Sequence, residues 1–469
     1  MAAAPPLIVP DTRRPGALLP PLSLRLPPAL VADLDGQAAR LGCSRAALSR
    51  ATTLAAARAL APALFTGCAA GLPRGSEPIV VGLLHSQTGT LAISETALRD
   101  AELFAIEEIN AGGGLLGRPI EAHSPDPRSR PLDLFPKRAR ELCDRGGAAV
   151  IFGCWTSSSR KAVIPVIEEY GRLLFYPVQY EGNEASRNVV YGGSVPNQQI
   201  LPAIDWLLSP AGGERKRIFL LGSDYVFPRT ANLIVKRYLA ARGLEPAGAA
   251  YVPLGHRQFT GAVEMIQAAK ADAVLSTVNG DSNVAFFAAL NEAGLSPEDV
   301  PVVSTSIGED ELRNLPPDHV QGQFAAWSYF QSLPTEANRG WVSRFRREFG
   351  YDRVTSDPME AAYCLVHLWK QAVERAGSLD TQAIREALQD DLRFAGPGGE
   401  AHIDPATQHT FKRFRLGRVR PDRQFDIVHE SPDPIPPEPF PQVAFPGWRC
   451  DWTADGLTRG EEVAIDGDF

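Results

Sequence analysis

From Pro78 onward, short unbroken apolar runs alternate with longer stretches in which apolar residues recur every three or four positions, the signatures of buried strands and amphipathic helices. Pro78-Ile79-Val80-Val81-Gly82-Leu83-Leu84 reads as a buried strand ending in the polar loop His85-Ser86-Gln87-Thr88-Gly89-Thr90. A helix follows with Leu98, Ala101, Ala105 and Ile109 on one face, and with Glu95 and Asp100 near its start, where the macrodipole favours acids. Ile120 to His123 is a second strand and Leu134–Cys143 a helix. The run Ala148-Ala149-Val150-Ile151-Phe152 then enters Gly153-Cys154-Trp155-Thr156-Ser157-Ser158-Ser159, after which Ala162, Val163, Val166 and Ile167 return to helical spacing. Such a strand-to-helix tip is crowded with hydroxyls and leaves backbone N–H groups without partners. Open α/β sheets bind ligands at such carboxyl ends, although Thr156 or Ser157 could equally serve as a helix cap. Leu173–Pro177 is a fourth strand.

The pattern restarts at Arg217-Ile218-Phe219-Leu220-Leu221-Gly222, which runs into Ser223-Asp224-Tyr225 and a helix over Arg229–Arg242. Strands at Ala247–Pro253, Ala273–Thr277 and Pro301–Ser304 alternate with helices at Phe259–Lys270 and Phe286–Ala293. Further helices are expected at Glu336–Glu348 and Pro358–Ala376 and from Arg385, and the Pro-rich tail from Ser431 is expected to lie along the surface. Two successive strand–helix sets argue for two parallel, doubly wound sheets. Two such lobes face each other across a cleft, a preferred place for ligands.

Composition narrows the function. The chain has 469 residues, 44% hydrophobic and 22% charged, and no apolar run long enough to span a membrane. Net charge is −8, but eight Arg against three Asp before Glu77 give the head +5, leaving −13 for the rest. The acidic body offers no electrostatic case for nucleic acid. The six Cys are scattered, with no metal-binding spacing among Cys and His, so neither a metal site nor a disulfide framework is expected. No HExxH, GxSxG or GxxxxGK[ST] occurs, the glycine run Gly112-Gly113-Gly114 with Gly117 follows a helix instead of a strand and so fits a helix stop better than a phosphate cradle, and no cofactor or catalytic residue is assigned.

The basic head, residues 1–76, leaves three readings open. Residues 1–21 are rich in Pro and Ala and expected to be disordered. Leu22-Ser23-Leu24-Arg25-Leu26-Pro27 alternates as a strand, and two helical segments meet at Leu41-Gly42-Cys43-Ser44-Arg45. This resembles a ribbon-helix-helix DNA-binding module, in which Ser23 and Arg25 would reach the major groove. Leu64-Phe65-Thr66-Gly67-Cys68 instead resembles a bacterial lipobox with Cys68 acylated. That reading requires an internal start, and no Met lies between Met1 and Met265. The third reading is a plain extension.

The body as a whole resembles the urea and short-chain amide receptors of the type I periplasmic-binding fold, which include solute receptors of urea ABC transporters and amide sensors of amidase operons. The stretches that carry the likeness are Gly82–Thr90, Gly153–Ser157, Phe175-Tyr176-Pro177-Val178-Gln179-Tyr180-Glu181-Gly182, Pro196–Gln199, Gly222–Tyr225, Asn279–Asn283 and Ile307–Leu312. The resemblance implies a two-lobed α/β fold with an interlobe cleft: 77–200 and 326–376 in the first lobe, 201–325 and 377–435 in the second, and a tail over 436–469. It implies no enzyme, but a receptor closing on urea or an amide. The ligand-binding residues would be Trp155, Thr156, Ser157, Tyr176, Gln179, Tyr225, Asp281 and Glu309, with Ser86 and Thr88 in a hydrophilic tip loop. Trp155 and Val178, where the amide sensors have Tyr and Thr, and Gly308-Glu309-Asp310 point to the urea branch. In chemical terms, Trp155, Tyr176 and Tyr225 offer flat walls, Ser157 a donor, and Asp281 and Glu309 acceptors for a small planar ligand with N–H donors and one carbonyl. The implied partners are ABC permease subunits for an exported, membrane-anchored receptor, or DNA for a cytoplasmic sensor with a ribbon-helix-helix head.

Overall fold

A computed structural model describes residues 77–460. Ser23, Arg25 and Cys68, and with them the three readings of the head, lie outside the described residues.

The first sheet is built from β1 (Ile79–Leu84), β2 (Ile120–His123), β3 (Ile151–Gly153), β4 (Leu174–Tyr176) and β5 (Val189–Tyr191), all parallel in the order β2-β1-β3-β4-β5. Helices α1 (Ala92–Ala111), α2 (Leu134–Asp144) and α3 (Ser157–Glu169) make the crossovers. Central strands covered on both faces must be apolar throughout, and Val81, Leu83, Ile151, Phe152, Leu174 and Phe175 are all buried. The chain then crosses to α4 (Ile200–Leu208) and the second lobe. There β6 (Ile218–Ser223), α5 (Val226–Ala240), β7 (Gly248–Val252), α6 (Thr260–Ala268), β8 (Ala273–Thr277), α7 (Ser282–Glu292), β9 (Val302–Ser304), α8 (Glu309–Leu312), α9 (Pro317–Val320) and β10 (Phe324–Trp327) follow in turn.

Two late helices return to the first lobe. Phe345 of α10 (Glu336–Phe349) meets Phe104 of α1 edge-on at 5.8 Å, and Trp369 of α11 (Asp357–Ala376) meets Phe152 of β3 at 5.7 Å. The next segment stays there. Ile384 and Ala387 of α12 (Thr381–Ala387), and Leu388, Leu392 and Ile403, belong to the first lobe's core, beside a hairpin of β11 (Arg393–Gly396) and β12 (Gly399–His402). The return to the second lobe therefore comes with β13 (Arg415–Val419) and β14 (Phe425–Glu430), not at 377. The polar break at Ser378–Asp380 reads as a boundary, but Asp380 caps α12 by accepting from the Ala383 N–H. The second sheet runs β14-β13-β10-β9-β8-β6-β7, with β13 alone reversed and antiparallel to both its neighbours, and β10 carries the second lobe to Trp327.

The tail departs from the surface path expected of it. After β14 it buries Phe440, Ala444, Phe445 and Cys450 with Leu201 of α4 and Ile234 of α5, and ends in a hairpin of β15 (Arg449–Asp451) and β16 (Gly456–Thr458). It also grips the first lobe: the Asn183 N–H donates to the Pro439 carbonyl (2.7 Å), and Arg187 lies over the Trp452 ring at 5.1 Å. Pro breaks the hydrophobic period here, while the aromatic residues between the prolines still find apolar partners.

Candidate functional site

The carboxyl ends of the two sheets face each other. At the β3 tip the backbone is strained: Cys154 has φ +70°, and a Cβ on Gly153 (φ +154°) would meet the Leu84 carbonyl oxygen at 2.5 Å. Such strain persists only where the surroundings impose it, and it gathers at functional sites. Here it turns Trp155, Thr156 and Ser157 out of the strand, and all three are buried, Trp155 against the core of the first lobe. Thr156 is committed to the helix, its hydroxyl oxygen accepting from the Ser159 N–H at 3.0 Å. Ser157 donates to Glu181, and the Tyr176 hydroxyl donates to the Trp155 carbonyl at 2.7 Å.

Behind these residues lies Arg160, fully buried, with its guanidinium 4.7 Å from the Tyr176 ring centre and 4.3 Å from that of Tyr180. It donates to Glu184 (2.6 Å) and reaches Glu181 (3.5 Å). Burial would raise the Glu184 carboxyl, but Arg160 and Lys161 hold it at about 2. An unpaired charge could not be held there, so the two carboxylates answer Arg160 together with Lys161, whose ammonium lies 2.8 Å from Glu184.

At the β1 tip, Ser86 is buried, and its hydroxyl oxygen accepts from the Ser129 N–H. Thr88 lies exposed and bonded to Asp126. The Ser86 N–H donates to Glu95, whose other oxygen is buried without a partner. His85 donates to or accepts from Glu102 at 2.8 Å.

Opposite, Tyr225 follows β6 and is half-buried. Burial raises its hydroxyl well above the ordinary value, with Tyr176 and Glu181 of the first lobe adding to the effect, which puts it within electrostatic reach of both. Gln179 spans the lobes, its amide donating to the Thr305 carbonyl after β9 (2.9 Å), while its Oε1 has no partner. Asp281 turns outward to Arg257 (3.3 Å), so it does not supply the buried acceptor expected of it. Glu309 is buried and accepts from the Gln331 N–H (2.6 Å), leaving Oε2 without a partner. Its neighbours on α8 also grip the first lobe, Asp310 through Ser356 (2.9 Å) and Glu311 through Ser94 (2.7 Å).

Trp155 and Tyr176 are thus joined directly, Tyr225 lies within electrostatic reach of Tyr176 and of Glu181, to which Ser157 donates, and Gln179 crosses to the second lobe, while Glu309 is bound to Gln331 instead. Arg160, Glu181, Glu184 and Glu95 join them without having been expected. The signal for Glu95 was present: positions 95, 98, 102, 105 and 109 form one helical stripe, and two of them are acids on an otherwise apolar face. Among the described residues no helix is long and apolar enough to cross a membrane, and no cluster of His, Cys, Asp and Glu could hold a metal.

Known proteins resemble the chain at two scales. A stretch of 122 residues is 32% identical to a limonene hydroxylase of Geobacillus stearothermophilus, a match spanning 26% of this chain and only 22% of that protein. A Leu/Ile/Val-binding protein of Rhizobium johnstonii is 24% identical over 356 residues, 73% of this chain and 92% of its own. An ABC-transporter solute-binding protein from Rhodopseudomonas palustris BisB5, solved with 3,4-dihydroxybenzoic acid, shares 22% identity at a TM-score of 0.69 over 77% of this chain and 99% of its own. The family model described as "Periplasmic binding protein domain" matches residues 79–445. A match over that span, on a chain folded as two facing α/β lobes, means that the protein belongs to the periplasmic binding protein family, in its two-lobed type I form.

Proposed function

We propose that this chain is the solute-binding receptor of an ABC transporter and holds urea or a short aliphatic amide between its lobes. The observation that carries the reading is the charge balance of the cleft. Its buried cation, Arg160, and Lys161 beside it are already matched by Glu181 and Glu184, while Gln179, which reaches across to Thr305, keeps a partnerless acceptor oxygen. A carboxylate ligand would enter without a free cation to meet it; a neutral ligand rich in N–H donors suits such a lining. Trp155 and Tyr176 supply flat buried walls, and Tyr225 faces them from the second lobe.

Binding would involve no chemistry. Lobes hinged at the three chain crossings close on the ligand, driven by its preference for the closed form. Calorimetric titration of the full chain with urea, acetamide, formamide, leucine and 3,4-dihydroxybenzoate tests the reading. Saturable heat with urea or an amide, lost in Trp155→Ala, is the expected result; heat with the acids alone would overturn it.

The basic head favours a second role for the same pocket, a cytoplasmic amide sensor with a ribbon-helix-helix module. Salt-dependent binding to operator DNA would support that role. A mature N-terminus at Cys68 would eliminate it.

A further inference from the structure

We propose that Glu95 is a specificity determinant of the cleft, its free carboxylate oxygen accepting an N–H of a neutral ligand and repelling anionic acids. The proposal rests on the urea and amide reading above.

Three features of position support it. Glu95 lies in the first turn of α1, directly after the loop at the carboxyl end of β1, the end of a parallel sheet where ligands bind. One oxygen is fixed by the Ser86 N–H, which orients the group, while Oε1 is fully buried with no partner. Ser94, next in the chain, donates to Glu311 of the second lobe at 2.7 Å, so this turn sits where the lobes meet.

The charged groups around Glu95 leave that oxygen free. His85, at the end of β1, is bound to Glu102 of α1 through Nε2, and its Nδ1, like the Glu95 oxygen, has no partner. Arg99, also on α1, donates to Gln87 (2.6 Å) and Asp100 (2.9 Å), its Nε keeping no partner of its own. Asp126, from the loop after β2, holds Thr88 and the Gln87 N–H, and from the β3 tip comes the uncharged thiol of Cys154. A buried acceptor without a donor is unfavourable, and a ligand N–H removes that cost. An amide can supply one; a carboxylate cannot, and would place a second negative charge beside the first.

A pH signature follows. Burial pushes the Glu95 carboxyl up to about 7, against the pull of His85. A ligand N–H favours the ionised form, so affinity should rise as pH passes through 7.

The experiment is calorimetric titration of the full chain at pH 6 and pH 8 with urea, acetamide, leucine and 3,4-dihydroxybenzoate, on wild type, Glu95→Gln and Glu95→Asp. Melting transitions of the variants confirm that they fold. Wild type should bind urea about tenfold more tightly at pH 8, the change in ionised fraction across that span. Glu95→Gln should bind urea about tenfold more weakly at pH 8 and show no such pH ratio. Glu95→Asp, a methylene shorter, should bind weakly but keep the ratio. A Glu95→Gln variant that binds urea as wild type does, or keeps its pH ratio, overturns the role of Glu95 and leaves the amide reading intact. A wild type that binds only the acids overturns both.

Discussion

Gly153 and Cys154 show how much one residue's backbone can determine. With Gly153 at φ +154° and the Leu84 carbonyl in the way, Gly153→Ala should lower stability by about 2–4 kcal/mol, read from a denaturant midpoint, because strain and overlap act together. Thr156→Ala should cost about 1 kcal/mol, since it removes the hydroxyl that caps α3. The strand tips that carry Trp155, Ser157 and Tyr176 could be read from the sequence because a tip announces itself by where an apolar run stops. Asp281 could not be judged that way: the sequence places it at a tip, but only packing turns its carboxylate outward to Arg257. Glu95 was hidden differently, since an acid in a helix's first turn already has an explanation in the macrodipole. Its burial became evident only with β1 and β3 laid beneath it.

Helix α8 is one turn long, yet its three consecutive carboxyls each bind a different segment outside it: Gln331, Ser356 and Ser94. Burial raises all three above the ordinary carboxyl range, Asp310 to about 7 with Glu311 beside it adding to the effect. Arg353 and Arg313 pull Asp310 the other way. Because these values are raised where α8 packs against the first lobe, the favourable contribution of that packing is fully present below the ordinary carboxyl range and is lost as pH rises towards 7. The radius of gyration of the ligand-free chain, measured by small-angle scattering, should therefore increase from pH 5 to pH 8, and Asp310→Asn should flatten that dependence. The same loss opposes the gain that ionised Glu95 brings to binding, so that Glu95→Gln, which keeps α8, gives the baseline against which that gain is read. Strands and long helices were readable in advance because each carries its own period. The allegiance of α12 was not: its apolar face, Ile384, Ala387 and Leu388, is satisfied by whichever lobe it reaches, and only the packed core shows which.

At the scale of the molecule, the two-lobe plan followed from a strand–helix pattern that starts twice, while the tail's part in it did not. The tail buries apolar side chains of α4 and α5 and holds the first lobe through Asn183 and Arg187, bridging the lobes outside the three crossings. Deleting 438–469 should lower the melting temperature and enlarge the ligand-free radius of gyration, because Leu201 and Ile234 lose their cover. The crossings are themselves tied together: Ser194 to Ser328 at 3.1 Å, Gln198 to the Thr410 carbonyl at 3.0 Å, and His409 stacked on Tyr191 at 4.2 Å. Burial holds that histidine neutral, with its value pushed down to about 3. Because the chain visits each lobe twice, neither core can close early in synthesis. The first sheet is complete by Tyr191, yet Phe104 and Phe152 wait for Phe345 and Trp369, and β10 waits for Arg415 to Val419. Pairings this distant in sequence form slowly. The first sheet thus lacks part of its cover until Trp369, in the last quarter of the chain, has been made.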